Sequence, residues 1–198
     1  MSDIPFRVRT KQCRTAMAVP SDFDIEIAKR SAQSPSFSLQ RDFVFGVNSL
    51  MSGNALLTIC PNVVMYASAA VVVVHDLANN RQIFLDGMTD DITCLALSPC
   101  KNFAAAGQIG KGSFVCVWRV DDDSLDLAEE LQSANPIAMI GQGFFERAVS
   151  AVCFSPDAQY ICALGCDDHH NMGIWSLSTC RLEGEAGAAN GDPDIIRA

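Results

Sequence analysis

Two stretches of the sequence combine residue types that could do chemistry. The first is Cys162–His170, in which two cysteines precede the run Asp167-Asp168-His169-His170. Thiolate, carboxylate and imidazole groups at this spacing are the ligands of structural zinc sites. However, Cys162 falls within a predicted strand, whereas the other residues occupy a predicted turn. Aspartates in such turns accept hydrogen bonds from backbone amides, and the sequence favours that role over metal binding.

The second stretch, Gly107–Ser113, has the glycines and the lysine of a phosphate-binding loop. The pattern G-x-x-x-x-G-K-[ST] is not met, because Lys111 is followed by glycine and no helix is predicted to begin there. Gly141-Gln142-Gly143 precedes a predicted strand, where a dinucleotide-binding loop requires a helix. The chain has only three histidines, and no Ser or Cys lies in a recognisable nucleophile frame. The sequence therefore predicts no catalytic residue, cofactor or metal ligand.

Charge and cysteine content narrow the class of protein. The formal net charge is -9; residues 1–41 hold seven cations and four acids (+3), which leaves -12 for residues 42–198. An acidic body disfavours nucleic acid and anionic membrane as partners. The nine cysteines are odd in number and form no C-x-x-C pair, which is typical of reduced, largely buried thiols in a cytosolic protein.

Residues 43–74 contain no Asp, Glu, Lys or Arg, and so raise the question of a membrane span. Glycine, asparagine and proline divide this stretch into pieces too short to cross a bilayer, and the pieces are rich in β-branched residues. We predict strands at Ala55–Ile59, Asn62–Tyr66 and Ala69–Asp76, with a fourth at Arg81–Leu85. A small membrane-associated protein using residues 55–74 stays open as an alternative.

An internal repeat is the most informative feature of the chain. Ile92–Pro99 recurs as Val149–Pro156 at an offset of 57 residues, and the same offset relates the two tryptophans, Trp118 and Trp175. Each copy predicts a strand ending in Ser-Pro, a small-residue strand ending in glycine, and a third strand closed by tryptophan. This is the order of strands a, b and c in a WD40 β-propeller blade, a four-stranded antiparallel sheet.

The rest of the chain is assigned around this repeat. We predict a loosely ordered arm at 1–40, a hydrophobic strand segment at 41–86, a first blade at 87–147, and a second blade with the start of a third at 148–198. A repeat of 57 residues exceeds the usual 40–45, and the acidic stretch Asp121–Ser133 is the insertion, with one short helix predicted from Ser124. Residues 192–198 match the entry to the first strand of a blade. The fold class is thus all-β, a partial propeller.

Along residues 40–177 the chain resembles the echinoderm microtubule-associated protein-like family, in which a hydrophobic segment called the HELP motif runs directly into WD40 blades. The matching segments are Phe45-Gly46, Val63–Tyr66, Ala69–Val74, Thr89–Ile92, Ala106–Gly110, Val115–Trp118, Ile140–Val149, Cys162-Ala163 and Asp167–His170. One departure is Gly87-Met88, where the family has Gly-His. The resemblance implies a non-catalytic scaffold of the cytoplasm and cytoskeleton, including the ciliary or flagellar axoneme, whose partners are tubulin, microtubules or other cytoskeletal proteins.

Ten residues are candidates for structural or interaction roles. Trp118 and Trp175 are expected near the ends of equivalent third strands, and Glu146 with Arg147 is expected to form a pair at a blade junction. The other candidates are Asp90, Asp91, Phe144, Phe145, Asp167 and Asp168. Because the body of the chain is acidic, as microtubule surfaces are, we expect this chain alone to bind microtubules weakly. A generic WD40 adaptor subunit of a multiprotein complex is the alternative function.

Overall fold

The computed structural model describes residues 21–27, 39–49, 55–120 and 133–187. Residues 1–40 and 41–198 are two separate units. In the first unit, residues 25–27 are helical, within the segment predicted to be a loosely ordered arm. Asp24 caps this turn, since its carboxylate accepts hydrogen bonds from the backbone N–H groups of Glu26 and Ile27 at 2.8 and 3.0 Å.

The described residues of the second unit form three antiparallel sheets, and the all-β, partial WD40 propeller predicted from the sequence is confirmed. The first sheet has the order β1-β2-β3-β4, with β8 added at its edge; the second is β5-β6-β7-β9 and the third is β10-β11-β12-β13. The strands are β1 Leu56–Cys60, β2 Val63–Ser68, β3 Val71–Asp76, β4 Arg81–Leu85, β5 Ile92–Leu97, β6 Phe103–Gln108, β7 Val115–Arg119, β8 Ser133–Ala134, β9 Ala138–Ile140, β10 Val149–Phe154, β11 Tyr160–Gly165, β12 Met172–Ser176 and β13 Leu182–Ala186.

The 57-residue repeat extends to fine details of the backbone. The register of β5 on β6 shifts between Ile92 and Cys94, and that of β10 on β11 shifts at the equivalent residues, Val149 and Ala151. The two Ser-Pro motifs also make the same hydrogen bond in their turns. Ser98 Oγ and Ser155 Oγ each accept a hydrogen bond at 3.0 Å from the first backbone N–H of the following strand, which closes the tight turn.

The hydrophobic segment before the repeat forms a sheet of its own. Strands β1 to β4 make a complete four-stranded meander with the topology of the two later sheets, and this sheet packs beside the second sheet. The observed strands begin and end within one or two residues of the predicted ones. β8 pairs in parallel with β4 through Phe84 and Leu85, and so covers an edge that would otherwise expose unpaired backbone groups.

Two apolar layers hold the three sheets together. Between the first and second sheets, Met65, Val72 and Leu85 pack against residues such as Leu95 and Trp118, all at most 2% exposed. Between the second and third sheets the layer is formed by Ala96, Ala105, Val115, Val117, Val152, Ile161 and Trp175, with Phe145 from the preceding loop. Each of the two layers therefore buries apolar faces whose exposure to water would be unfavourable.

Some predictions fall outside the described residues. They include most of the acidic insertion with its predicted helix (121–132) and the predicted entry to a third repeat blade (192–198). The apolar run at 55–74 is described: it forms β1, β2 and most of β3, with Met65, Ala67 and Val72 in the core. Among the described residues, no helix has the length and apolar character needed to cross a membrane.

Gly107 tests the packing of the third sheet on the second. A Cβ atom at this position would lie 2.6 Å from Val149 Cβ and 2.8 Å from Cys94 Sγ, closer than side chains can approach. We expect Gly107→Ala to lower the free energy of unfolding by about 1–3 kcal/mol through overpacking. Urea denaturation followed by tryptophan fluorescence measures this change.

Gly184→Ala is the matched control, because a Cβ there would meet no atom within 4 Å and Gly184 also lies in a strand. Its effect should stay within about 0.5 kcal/mol. Equal effects of the two substitutions would contradict the close approach of β10 to β6.

Candidate interaction site at the sheet junctions

A buried carboxylate organises the junction between the second and third sheets. Asp167, 2% exposed, lies in the loop after β11 and faces the segment that leads into β10. Its Oδ2 and Oδ1 accept hydrogen bonds from the backbone N–H groups of Glu146 and Arg147 at 3.1 and 2.9 Å. Because a buried carboxylate without hydrogen-bond partners is costly, Asp167 fixes the path of the chain segment that donates to it.

An aromatic cluster lies beside this carboxylate. The rings of Phe144 and Phe145 are 4.9 Å apart, and their centroids lie 5.2 and 5.7 Å from that of Trp175. Phe145 also fills the space next to Gly141 and Gly165, where a Cβ atom would come within 3 Å of its ring. The loop between β9 and β10 is thus anchored by aromatic packing as well as by Asp167.

The rim of this junction is charged and exposed. Arg147 Nη1 and Nη2 contact the two carboxylate oxygens of Asp168 at 2.8 and 3.0 Å in a bidentate pair. The sequence predicted Glu146 as the partner of Arg147. The structure uses the two adjacent residues differently: both donate their backbone N–H groups to Asp167, and the Arg147 side chain reaches the loop after β11.

Asp90 and Asp91 approach the same rim from the second sheet. The Asp91 carbonyl accepts a hydrogen bond from Ile109 N at 2.9 Å, and Gly110 N donates to the Arg147 carbonyl at 2.7 Å. A Cβ atom on Gly110 would lie 2.6 Å from Asp90 Oδ2, so this carboxylate sits against the loop. The structure therefore brings nine of the ten candidate residues to one region.

Trp118 is the exception among the ten. It is fully buried between the first and second sheets, and its indole N–H donates to the Asp86 carbonyl at 2.8 Å. Trp118 and Trp175 occupy equivalent positions in β7 and β12, as the repeat predicts. Trp118 joins the first pair of sheets, whereas Trp175 joins the second pair.

Sequence reasoning missed two buried glutamines that resemble Asp167 in their role. Gln108 accepts a hydrogen bond from Thr89 N and donates to Thr89 Oγ1, both at 2.9 Å. Gln82 accepts from Val44 N at 2.7 Å and donates to the Val44 carbonyl at 3.0 Å. In each sheet, one of these three buried polar side chains therefore forms hydrogen bonds with a segment that lies outside the strands. The sequence signal that could have revealed the role of Gln108 is its position in the Gly-Gln-Ile-Gly motif.

In this arrangement, buried polar side chains hold the backbone of the loops, and the charged side chains of these loops are exposed for contact with another protein. Within the described part of the chain, no group of three His, Cys, Asp or Glu side chains is placed to hold a metal ion. Cys162 lies in β11 opposite Cys153 of β10, away from the loop that holds His169 and His170. Burial raises the pKa of the Cys162 thiol, and it raises those of Cys94 and Cys116 to about 11 and about 12.

Comparison with known proteins agrees with the repeat geometry. The WD domain, G-beta repeat family model matches residues 79–119 and 141–176. Rat echinoderm microtubule-associated protein-like 1 is 28% identical over 170 residues, covering 80% of this chain and 20% of its own length. The type 2 protein of rat is 29% identical over 154 residues (73% and 22%), and the type 4 protein of mouse 27% over 166 residues (80% and 16%).

The chain contains WD40 repeats and is similar to curated proteins of the echinoderm microtubule-associated protein-like family. It spans about a fifth of the length of the curated relatives it matches. Among solved structures, Kuenenia stuttgartiensis hydrazine synthase is similar in backbone, with a TM-score of 0.50 and 14% identity over 64% of this chain and 34% of that one. That similarity concerns the fold alone.

Substitution of Asp167 tests whether its carboxylate holds the segment that leads into β10. Asp167→Ala leaves the backbone N–H groups of Glu146 and Arg147 without their acceptor and should lower the free energy of unfolding by about 1–3 kcal/mol. Asp167→Asn keeps one acceptor oxygen and should cost about half as much. Both are measured by urea denaturation, with Trp175 as the nearby fluorophore.

The neighbouring exposed carboxylate provides the control. Asp168→Asn weakens an ion pair whose side chains are 62% and 74% exposed, so its effect should be below about 1 kcal/mol. If Asp167→Ala destabilises no more than Asp168→Asn, the clamp has no structural role.

Proposed function

We propose that this protein is a non-catalytic cytoskeletal scaffold that associates with microtubules or tubulin in the cytoplasm, including the axoneme. The observation behind the proposal is its similarity to three microtubule-associated protein-like relatives over most of this chain, including the region of the stacked sheets. A stack of sheets offers loops at its two ends as contact surfaces, and such loops suit protein partners more than small molecules.

The described charges divide between the two ends of the stack. In a four-stranded meander, the turns after the first and third strands lie at one end, and the remaining loops lie at the other. The first end holds exposed Arg81, Lys101, Arg119 and Arg181 with two acids, Asp76 and Asp157. We call it the basic end.

The opposite, acidic end contains the rim of the candidate site. Its exposed acids are Asp90, Asp91, Glu146 and Asp168, and its exposed cations are Lys111, Arg147 and Arg41, which contacts Asp86 after β4. Microtubule surfaces are acidic, so the basic end is the one whose charges complement them. We therefore assign the microtubule contact to the basic end.

The net charge of the chain opposes this contact. Residues 121–132 lie between β7 and β8 in the sequence. Their sequence contains six acids: Asp121, Asp122, Asp123, Asp126, Glu129 and Glu130. With a net charge of -9 for the whole chain, association is expected to be weak and to disappear as salt screens the remaining attraction.

Co-sedimentation of the full chain with polymerised tubulin at low and moderate salt tests the proposal. We expect partial binding at low salt that falls at moderate salt. Lys101→Glu, which reverses one charge at the basic end, should weaken the binding about fivefold, the effect of about 1 kcal/mol per exposed charge pair.

Lys111→Glu is the matched control, because it makes the same change in an exposed loop at the acidic end. It should leave the binding unchanged. Equal effects of the two variants would contradict the assignment to the basic end, and the absence of binding at every salt concentration would contradict microtubule association by this chain.

A further inference from the structure

We propose that Cys153 and Cys162 form a reversible redox modification site, at which a hydroperoxide oxidises the two thiols to a cross-strand disulfide. Cys153 of β10 and Cys162 of β11 are Cα partners in the antiparallel ladder of the third sheet. Within the described strands no other cysteine stands opposite a cysteine, since Cys60, Cys94 and Cys116 are paired with other residue types.

The hydrogen bonds of the ladder set the distance between the two residues. Ser155 N donates to the Tyr160 carbonyl at 2.9 Å, two residues along both strands from Cys153 and Cys162. Because hydrogen-bonded pairs recur at every second position of an antiparallel ladder, the two cysteines also form such a pair, with Cα atoms about 5.5 Å apart. Disulfides most often join Cα atoms about 5.5–6 Å apart. The backbone therefore holds the cysteines at a separation that a disulfide can bridge.

The two thiols also interact directly. Burial raises the pKa of Cys162, and the adjacent Cys153 raises it further through charge repulsion and a hydrogen bond. The equivalent pair in the second sheet is Ala96 and Ala105, so the repeat forms the same ladder without thiols. The contact between the thiols depends on the register of β10 on β11, whatever lies against this face of the sheet.

The pairing of the side chains makes the modification reversible. The Cβ atoms of directly opposite residues lie about 4.5–5.5 Å apart, whereas those of a relaxed disulfide lie about 3.8 Å apart. The strands must therefore adjust locally to form the bond, which leaves it strained. Strained disulfides have higher reduction potentials, and thiols reduce them readily.

The reaction needs a hydroperoxide as its only co-reactant. The Cys153 thiolate attacks an oxygen of hydrogen peroxide, the O–O bond breaks, and a sulfenic acid forms with release of hydroxide. The Cys162 thiolate then attacks the sulfenic sulfur, so that the S–S bond forms and the S–O bond breaks with release of a second hydroxide. The two hydroxides take up the two thiol protons as water. Both sulfurs are oxidised and both peroxide oxygens are reduced. Cys162 reacts second, because its raised pKa leaves less of it as thiolate.

Oxidation of the full chain with a small excess of hydrogen peroxide tests the proposal. Remaining thiols are blocked with N-ethylmaleimide, chymotrypsin cleaves after Phe154 and Tyr160 between the two cysteines, and mass spectrometry identifies the linked peptides. We expect the link between Cys153 and Cys162 to exceed every other cysteine pairing by about tenfold, because the folded sheet holds these two thiols together. Reduced glutathione should restore both thiols.

Two variants four residues apart provide the matched comparison. Cys162→Ser should abolish the link and leave Cys153 as a sulfenic acid, which dimedone labels. Cys166→Ser removes an exposed cysteine from the loop after β11 and should leave the link unchanged. Oxidation of the chain in concentrated urea should lose the preference for this pair, because the register of the strands is lost.

Three results would overturn the proposal. One is sulfinic acid at Cys153 with Cys162 still a thiol, which would show that the two side chains do not meet. Another is the same distribution of pairings in the folded chain as in urea, which would show that the register does not direct them. The third is a link that glutathione leaves intact, which would make it a permanent crosslink. None of these results bears on microtubule binding, which is assigned to the basic end of the stack.

Discussion

The second sheet, β5-β6-β7-β9, is apolar on both faces, and the described structure depends on burying both of them. One face is covered by the first sheet through residues such as Leu95 and Trp118, and the other by the third sheet through Val115 and Val117. These layers are the main source of stability. Each sheet therefore stabilises the fold mainly by covering the apolar face of the sheet beside it. The spacing of the layers depends on small residues such as Gly107, where a Cβ atom would lie 2.6 Å from Val149 of the adjoining sheet.

Buried polar side chains fix the paths of chain segments that lie outside the strands of this stack. Each of three buried side chains bonds a segment outside the strands: Gln82 bonds the N–H and carbonyl of Val44, Gln108 bonds the N–H and hydroxyl of Thr89, and Asp167 accepts from two backbone N–H groups. Apolar packing alone would tolerate several paths for these segments, whereas paired hydrogen bonds in a buried setting tolerate one. The hydrogen bonds of Gln108 and Asp167 lie at the acidic end, so the positions of the exposed loop charges there depend on them, whereas Gln82, next to Arg81, lies towards the basic end.

Much of the fold followed from the sequence because the repeat is regular. The Ser-Pro turns, the two tryptophans and the small-residue strands predicted the second and third sheets, and the structure confirms them. The first sheet was underestimated, since a run without charges shows where strands lie but not that β1 to β4 complete a blade. The partner of Arg147 and the clamp by Gln108 were also missed. Both depend on contacts across 19 to 21 residues, which a local pattern does not encode.

Hydrogen exchange of backbone amides tests most directly whether buried side chains fix the junctions between sheets. Thr89, Glu146 and Arg147 lie outside the strands, yet each donates its N–H to a buried acceptor. Our account predicts that these three amides exchange as slowly as those of the adjoining strands, because both require the same cooperative opening. Exchange of these amides at the rate of an ordinary exposed loop would contradict it.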